Sequence, residues 1–472
     1  MDHAEIDLRA IERGTVTAPA GCGKTQLIAH ALTGHRGNKP ILVLTHTNAG
    51  VAALRGRLER ASVPANAYRL STIDGWAIRL ISTFPGRSAH DPEILRLVAP
   101  ARDYPAIRDA AWKLLQAGHV SEVLKASYSH LIVDEYQDCS VPQHHIIYFL
   151  SLILPTAVLG DPMQAIFGFR GNALADWNQQ VCAHFPVVGE LATPWRWRNV
   201  GAEALGQWLL EARRLLAAGQ SVDLRSGPPE HVTWMQANPP NDHAQRLAAA
   251  RTAPPTADGR VLIIADSRNR AAQQNFASQT PGASTVEAVD LQDLMAFASS
   301  FDVGVPNALA QLLVLAQSVM TNVGVAELTR RLESLARGTA RNPPNEAESR
   351  ALAFGRAPSL AAAAALLSEL RALPNVRVHR PAILYGVLKA LREASSGTVP
   401  LAEAARRVRE ENRLLGRPLP KRAVGSTLLL KGLEAEVAVL LNIEGMSAQN
   451  LYVAMTRGSM KLVVCSASPV IG

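Results

Sequence analysis

The 472-residue sequence predicts an α/β protein built on buried parallel strands with polar groups at their carboxyl ends. Three observations carry that expectation. Residues 14–25, GTVTAPAGCGKT, run a β-branched strand into a small-residue loop, and QLIAHALT continues at helical spacing. Residues 39–61, KPILVLTHTNAGVAALRGRLERA, repeat the plan as an apolar strand, a polar turn and an amphipathic helix. HLIVDEYQD (130–138) and TAVLGDPMQ (156–164) are apolar runs that end in acidic or amide residues, as strands do when ligands sit at the tips of a parallel sheet.

The remaining elements follow in chain order. HIIYFLSLILPTAVLG (145–160) falls short of the ~18 to 20 residues of a bilayer span and is broken by Pro155, so it reads as a helix, a turn and a buried strand. After about residue 220 the proline-rich stretches RSGPPE, ANPPNDH and TAPPTADG mark loops, and GRVLIIADSRNRAAQQNF (259–276) opens a second strand and helix series. Residues 290–420 are rich in Ala and Leu and read as mostly helical, interrupted by an exposed loop at 338–349. GSTLLLKGLEAEVAVLLN and NLYVAMTRGSMKLVVCSAS then return to strand material with polar insertions.

Composition narrows the function. At 48% hydrophobic and 19% charged the chain can bury real cores, which excludes a wholly disordered protein. The opening MDHAEIDLRAIERG places acidic residues where a signal peptide carries positive charge, so a cytoplasmic protein with no membrane partner is expected. Cys22, Cys139, Cys182 and Cys465 form no CxxC pair and read as small buried apolar residues. The net charge of +8 suggests a polyanionic partner. The 13 histidines form neither HxxxH nor HExxH, and no nuclease, glycosylase or deaminase constellation is found.

APAGCGKT (18–25) fits a phosphate-binding loop. Gly21 and Gly23 let backbone N–H groups close around phosphate oxygens, Lys24 reaches the β and γ phosphates, and the Thr25 hydroxyl holds Mg²⁺. In LIVDEYQD an apolar strand delivers two adjacent carboxylates, Asp134 as a Mg²⁺ ligand and Glu135 as the base that orients the attacking water. The cofactors expected are therefore ATP and Mg²⁺.

DEYQD followed by GDPMQAIFGFRG (160–171) resembles the UvrD/Rep/PcrA-like family of superfamily 1 DNA helicases, and further motifs appear in that family's order. LVLTHTNAGVAAL is similar to motif Ia, LSTIDGWAIRLI (70–81) to motif Ib, LATPWRWRN (191–199) to motif IV, STLLLKGLEAEVAVLLN (426–442) to motif V and LYVAMTRG (451–458) to motif VI. The resemblance spans residues 14–465. It implies two RecA-like P-loop NTPase domains with parallel sheets: a first domain at 1–195 with a very short 1B insertion at about 82–130, a second at 196–290 and 415–472, and a reduced helical 2B-like insertion at 291–414. It implies that Ala20, Gly21, Cys22, Gly23, Lys24 and Thr25 bind the nucleotide. Trp195 would stack on adenine where the family has Tyr, Glu434 would contact the sugar, and Gly432 would permit a close backbone approach. Gln164 would sense the γ-phosphate, and Arg196 and Arg457 would reach it as arginine fingers from the second lobe. For the DNA track it implies Thr45, His46, Thr47, Asn48, Thr72, Phe167, Phe169 and Arg170, with the phenylalanines stacking on bases. Trp76 reads as core.

The sequence departs from the family pattern at several points. Residues 1–13 contain no Gln where the family carries an adenine-reading glutamine motif, His46 stands in place of a Phe, and Asp74 in place of a His adds negative charge beside the track. The short 1B and 2B segments leave a motor stripped of accessory surface. Its size and layout are similar to the helicase component of Gabija-type two-gene antiphage systems. The resemblance implies an ATP-dependent translocase and helicase on single-stranded or tailed DNA, 3′ to 5′ in polarity, working with a protein partner of nuclease type. The competing expectations are a DNA-stimulated ATPase sensor that regulates a nuclease without unwinding, and an assembly subunit in which ATP only locks a complex.

Overall fold

Apolar runs of alternating facing produce the strands, and the computed structural model describes residues 6–168, 173–238, 240–415 and 419–472. In chain order the strands are β1 (Arg13–Thr17), β2 (Ile41–Thr45), β3 (Tyr68–Thr72), β4 (Leu131–Val133), β5 (Thr156–Gly160), β6 (Val187–Glu190), β7 (Val222–Asp223), β8 (Val232–Gln236), β9 (Val261–Ile264), β10 (Ala283–Thr285), β11 (Met320–Thr321), β12 (Arg377–Val378), β13 (Arg422–Gly425), β14 (Ala435–Leu440), β15 (Gly458–Ser466) and β16 (Val470–Ile471). They form two six-stranded sheets, ordered β3-β2-β4-β5-β1-β6 and β10-β13-β9-β14-β15-β8, and two short pairs, β11-β12 and β16-β7. The first sheet is parallel throughout. In the second, β10, β13, β9 and β14 are mutually parallel. The expected α/β architecture with two helix-flanked sheets is what the chain adopts.

The chain divides into two compact units. The first runs to Thr233 and takes back Gly445–Lys461 and Pro469–Gly472; the second is Trp234–Glu444 with Leu462–Ser468.

In the first unit, strand alternation sends residues to both faces of the sheet. Leu42, Leu44, Leu131, Val133 and Val158 join one core cluster, and Ile41, Val43, Ile132, Ala157 and Leu159 join the other. Each fully buried Leu, Ile or Val contributes about 1.5 to 3 kcal/mol, so a strand read as continuous apolar sequence is one buried on both sides. The helix Ile73–Thr83 starts where the Thr72 hydroxyl accepts the Gly75 N–H, and it buries Ile73, Trp76, Ala77, Leu80 and Ile81 along one face. Trp76 is core, as its spacing predicts. Residues 82–130 hold the helices Pro85–Ser88, Pro100–Gln116 and Ser121–Ser127. Their apolar residues Ile107, Ala111, Leu114, Val120 and Leu124 belong to the same cluster as β2 and β4, so this insertion is laid onto the sheet.

In the second unit, Val261, Ile263, Val424, Val437 and Val439 form the sheet core. Seven helices between Gln292 and Leu415 build a separate cluster drawn from residues 291–408. The loop expected at 338–349 is shorter than its composition suggests. Asn345 and Glu348 form a capping box that starts the helix Glu346–Arg356 inside it. A second difference lies in NLYVAMTRG, where Ala448–Met455 is helical and not a strand. Ser447 caps it by accepting the Asn450 N–H, and Leu451 through Met455 are all buried. A helix apolar on every side leaves no periodicity to distinguish it from a strand. Among the described residues no helix is long and apolar enough to cross a membrane. Cys22, Cys139 and Cys465 are buried, as read from the sequence, while Cys182 is half-buried.

One buried histidine in each unit sets an acid limit. Burial first, then the neighbouring His184 and His145, push His144 down to about 4. Burial first, then Arg377 and Arg380, push His379 down to about 4. The folded pKa lies below the ordinary 6.5, so the unfolded chain takes up the extra protons, and stability present above pH 6.5 is lost as pH falls toward 4. Each histidine accounts for about 3 kcal/mol over that window. Urea unfolding midpoints followed from pH 8 to 4.5 are expected to fall below pH 6.5; a flat profile would contradict this assignment.

Candidate nucleotide and nucleic-acid site

Because the first sheet is parallel, its strand carboxyl ends share one edge, and strand order dictates what stands beside what. Along that edge come Thr72 after β3, the 45–48 turn after β2, Asp134 and Glu135 after β4, Asp161 and Gln164 after β5, and the phosphate loop after β1. Three neighbouring strands thus bring together the three sequence motifs of a nucleotide site, and the next two carry the predicted DNA contacts.

The loop itself is shaped by two glycines. Gly21 (φ 72°) and Gly23 (φ 89°) are left-handed, and Lys24 opens the helix Lys24–Thr33. A Cβ on Gly21 would meet the Trp197 ring at 2.6 Å and the Arg196 Cβ at 2.9 Å. The Cys22 N–H donates to Pro19 O at 3.2 Å. The Ala20 N–H donates to the Tyr452 hydroxyl at 3.1 Å, so that amide serves to tether the loop in this arrangement. Gly21→Ala is expected to cost about 1 to 2 kcal/mol from the backbone alone. The collision with Trp197 adds to that, and nucleotide affinity falls with it. Equilibrium binding of a fluorescent ATP analogue beside a melting curve checks this, and unchanged affinity would refute it.

Lys24 Nζ lies 2.8 Å from Asp134 Oδ1 and is also paired with Glu135. Burial pulls the Lys24 pKa down, but Asp134 and Glu135 together overcome it and leave the ammonium firmly protonated. Asp134 is raised, because burial and the adjacent Glu135 outweigh the lysine. Geometry settles the sense of both: one ammonium cannot neutralise two carboxylates, and the trio carries a net charge of about −1 that favours a cation. The Thr25 hydroxyl and the Asp134 carboxylate are hard oxygen donors of the kind Mg²⁺ takes, and the left-handed glycines before a helix N-terminus suit phosphate, so the residues fit Mg²⁺ and ATP. The Thr25 hydroxyl accepts from Arg57 at 2.8 Å.

Glu135 has φ 55°, a left-handed conformation uncommon for a side-chain-bearing residue, which turns it sharply off the end of β4. Its Oε2 accepts from Gln137 Nε2 at 2.6 Å, and Gln137 Oε1 accepts the Asp161 N–H at 3.1 Å. Asp161 Oδ2 accepts from Gln164 Nε2 at 3.1 Å. The Glu135 carboxylate of the β4 motif and the Gln164 amide of the β5 motif are therefore joined by a continuous hydrogen-bonded path.

Arg196 and Arg457, expected across a cleft on the second lobe, belong to the same compact unit as the loop. Arg196 donates its backbone N–H to Gly21 O at 3.0 Å and its guanidinium to Thr456 O at 2.7 Å. Trp197 Nε1 donates to Gly458 O at 2.9 Å. These contacts, with Tyr452 on Ala20, hold the motif IV and motif VI segments against the loop. Arg457 is 3% exposed and its guanidinium donates to Val453 O and to the Thr456 hydroxyl. Trp195 is half-buried, with the Arg198 guanidinium 5.2 Å from its ring centre. Gly432 and Glu434 lie in the second unit, both exposed, and Gly432 (φ 81°) occupies a conformation that favours glycine.

The predicted DNA residues separate by environment. Thr45 is 1% exposed, because it continues the face of β2 that buries Ile41 and Val43, so its hydroxyl is withheld from the surface. Thr47 and Thr72 cap the two following helices, accepting the Gly50 and Gly75 N–H groups. Asn48 is exposed. The His46 and Phe167 rings, from the segments after β2 and β5, lie 5.6 Å apart and tilted by 52°. Phe169 and Arg170 lie outside the described residues. Asp74 adds no net charge to this edge, since Arg108 pairs with it at 2.6 Å and Gln143 donates to it at 3.1 Å.

Six residues of the site were not singled out by the sequence: Arg57, Gln137, Asp161, Trp197, Arg213 and Tyr452. Gln137, Asp161, Trp197 and Tyr452 lie inside quoted motifs, and Arg213 shows as a charged residue on the buried stripe of its helix; for Arg57, whose partner is long-range, no local signal exists.

The fold and this edge have the form of a P-loop nucleotide-binding site. Residues 98–180, which carry DEYQD and GDPMQ, match the UvrD/REP helicase N-terminal domain family. With the ordered motifs and the loop geometry, that match makes this part of the chain similar to the N-terminal domain of UvrD-like helicases. Among solved structures, similarity is found to the arterivirus nonstructural protein 10 helicase in complex with DNA, at 12% identity and a TM-score of 0.29. The match covers 56% of this chain and 49% of that one, so it spans about half of each. No curated protein matches the chain.

Proposed function

We propose that this chain is an ATP-dependent translocase and helicase on single-stranded or tailed DNA, moving 3′ to 5′ in the cytoplasm. The observation that carries the reading is the row along one sheet edge, in which Lys24, Glu135 and Gln164 are linked through Gln137 and Asp161 and continue into His46, Phe167 and Thr72. Mg²⁺ bound with ATP supplies positive charge against the phosphates. Thr25 and Asp134 hold it, and Lys24 exchanges its carboxylate partners for phosphate oxygens. Glu135, freed of Lys24, accepts a proton from water; Gln164 reports the γ-phosphate; Arg196 and Arg457 supply guanidinium charge. Trp195, Gly432 and Glu434 hold base and sugar. His46, Thr47, Asn48, Thr72, Phe167, Phe169 and Arg170 track the strand, and Thr45 supports the turn from beneath. The working domains are 1–195, then 196–290 with 415–472, and the helical insertion 291–414. A separately encoded partner of nuclease chemistry, in a layout similar to Gabija-type antiphage systems, supplies the output.

A second reading, a DNA-stimulated ATPase sensor that regulates the nuclease without unwinding, is favoured by one observation: residues 82–130 pack into the sheet core and furnish no separate domain to grip a duplex. One experiment distinguishes the two. ATP hydrolysis and strand displacement are measured side by side on 3′-tailed and 5′-tailed duplexes. Displacement confined to the 3′ tail supports the helicase; hydrolysis without displacement on either tail transfers the assignment to the sensor.

A further inference from the structure

Arg213 is a half-buried cation paired with Asp161 at the centre of the nucleotide edge. It sits on the helix Glu203–Ala217, in register with Leu209, Ala212 and Leu216, which are all buried, so its place on the inward stripe is set by helical spacing. Its side chain is 14% exposed, and its Nε and Nη2 donate to Asp161 Oδ1 at 3.0 and 2.8 Å. Nη1 reaches Glu190, at the end of β6, at 3.2 Å. The next residue, Arg214, faces water and pairs with Glu211, so the two adjacent arginines have separate tasks.

Asp161 is 0% exposed and every named bond it makes orients something. Oδ1 takes the Arg213 fork and the Met163 N–H, Oδ2 takes the Gln164 amide, and its own N–H goes to Gln137. A buried carboxylate with these duties needs a counter-charge on the protein, and Arg213 provides it. The Arg213 helix also packs on Ala448–Met455, which in turn packs on the 162–164 turn.

We propose that Arg213 is a positioning residue for ATP hydrolysis: by clamping Asp161 it fixes the orientation of the Gln164 amide and, through Gln137, that of Glu135. The proposal rests on the ATPase reading above. It places no contact between Arg213 and the nucleotide, and its signature is therefore in turnover more than in binding.

The test measures kcat and KM for ATP with single-stranded DNA, together with melting curves, for the wild type, Arg213→Lys, Arg213→Met, Gln164→Ala and the double variant Arg213→Lys/Gln164→Ala. Arg213→Lys keeps the charge and loses the fork. It is expected to lower kcat about tenfold with KM within about threefold, and Arg213→Met to lower it about a hundredfold. In the Gln164→Ala background, Arg213→Lys is expected to lower kcat by less than in the wild type, since the part of its action that runs through Gln164 is already lost and only the part through Gln137 and Glu135 remains. Full kcat in either folded arginine variant, or fully multiplicative losses in the double variant, would overturn the proposal. Should Arg213→Met fail to fold, Arg213→Lys and the double variant decide. If the wild type itself turns over no ATP, the ATPase reading falls and takes this inference with it, an outcome distinct from an active wild type with an equally active Arg213→Lys.

Discussion

Lys24→Ala is expected to lower DNA-stimulated ATP hydrolysis by about a thousandfold or more and to reduce strand displacement to background. The structure adds a second consequence that a simple loss of phosphate binding would not produce. Lys24 lies between Asp134 and Glu135, so its removal leaves two adjacent, largely buried carboxylates without their cation. Breaking such a pair costs about 2 to 4 kcal/mol, less than for a fully buried one because Glu135 is about one-third exposed. Magnesium alone, without nucleotide, is then expected to raise the melting temperature of Lys24→Ala more than that of the wild type. Equal responses to Mg²⁺ would show that the two carboxylates do not form a cation site.

Glu135→Gln is expected to separate binding from chemistry. The substitution preserves length and leaves the φ 55° backbone undisturbed, yet removes the carboxylate proposed above to accept a proton from water. Hydrolysis should slow about 10²- to 10⁴-fold, with nucleotide affinity within about threefold. A modest stability cost of about 1 kcal/mol follows, because the new amide must present a donor either to Lys24 or to the Gln137 amide nitrogen that now donates to Glu135. A kcat within threefold of wild type would remove Glu135 from the role of base.

Much of the first sheet is legible in the sequence because its strands are short, apolar and punctuated by polar tips, and in a parallel sheet those tips must share an edge. The phosphate loop and the Asp134–Glu135 pair are local signals and fall where strand order requires. At Thr45 motif and strand pattern disagree: period-two alternation assigns it to the face of Ile41 and Val43, and that parity outweighs its place in a motif. The helix Ala448–Met455 could not be told from a strand, since all of Leu451–Met455 is buried and leaves no polar face to count by. The location of Arg196 and Arg457 depends on Trp197 meeting Gly21 and Tyr452 meeting Ala20, contacts between distant parts of the chain that no local pattern records.

The helices between Gln292 and Leu415 enter after β10 and leave before β13, and those two strands are hydrogen-bonded parallel neighbours, with Thr285 opposite Val424. A parallel pair can be joined by a crossover of about a dozen residues. The residues beyond that minimum are tied back to the sheet: His379 O accepts the Thr285 N–H at 2.8 Å, and the Arg377 guanidinium donates to Ala283 O at 2.7 Å. A change of length or outer surface in the helical cluster that spares those two contacts is therefore expected to leave β10 and β13 in register.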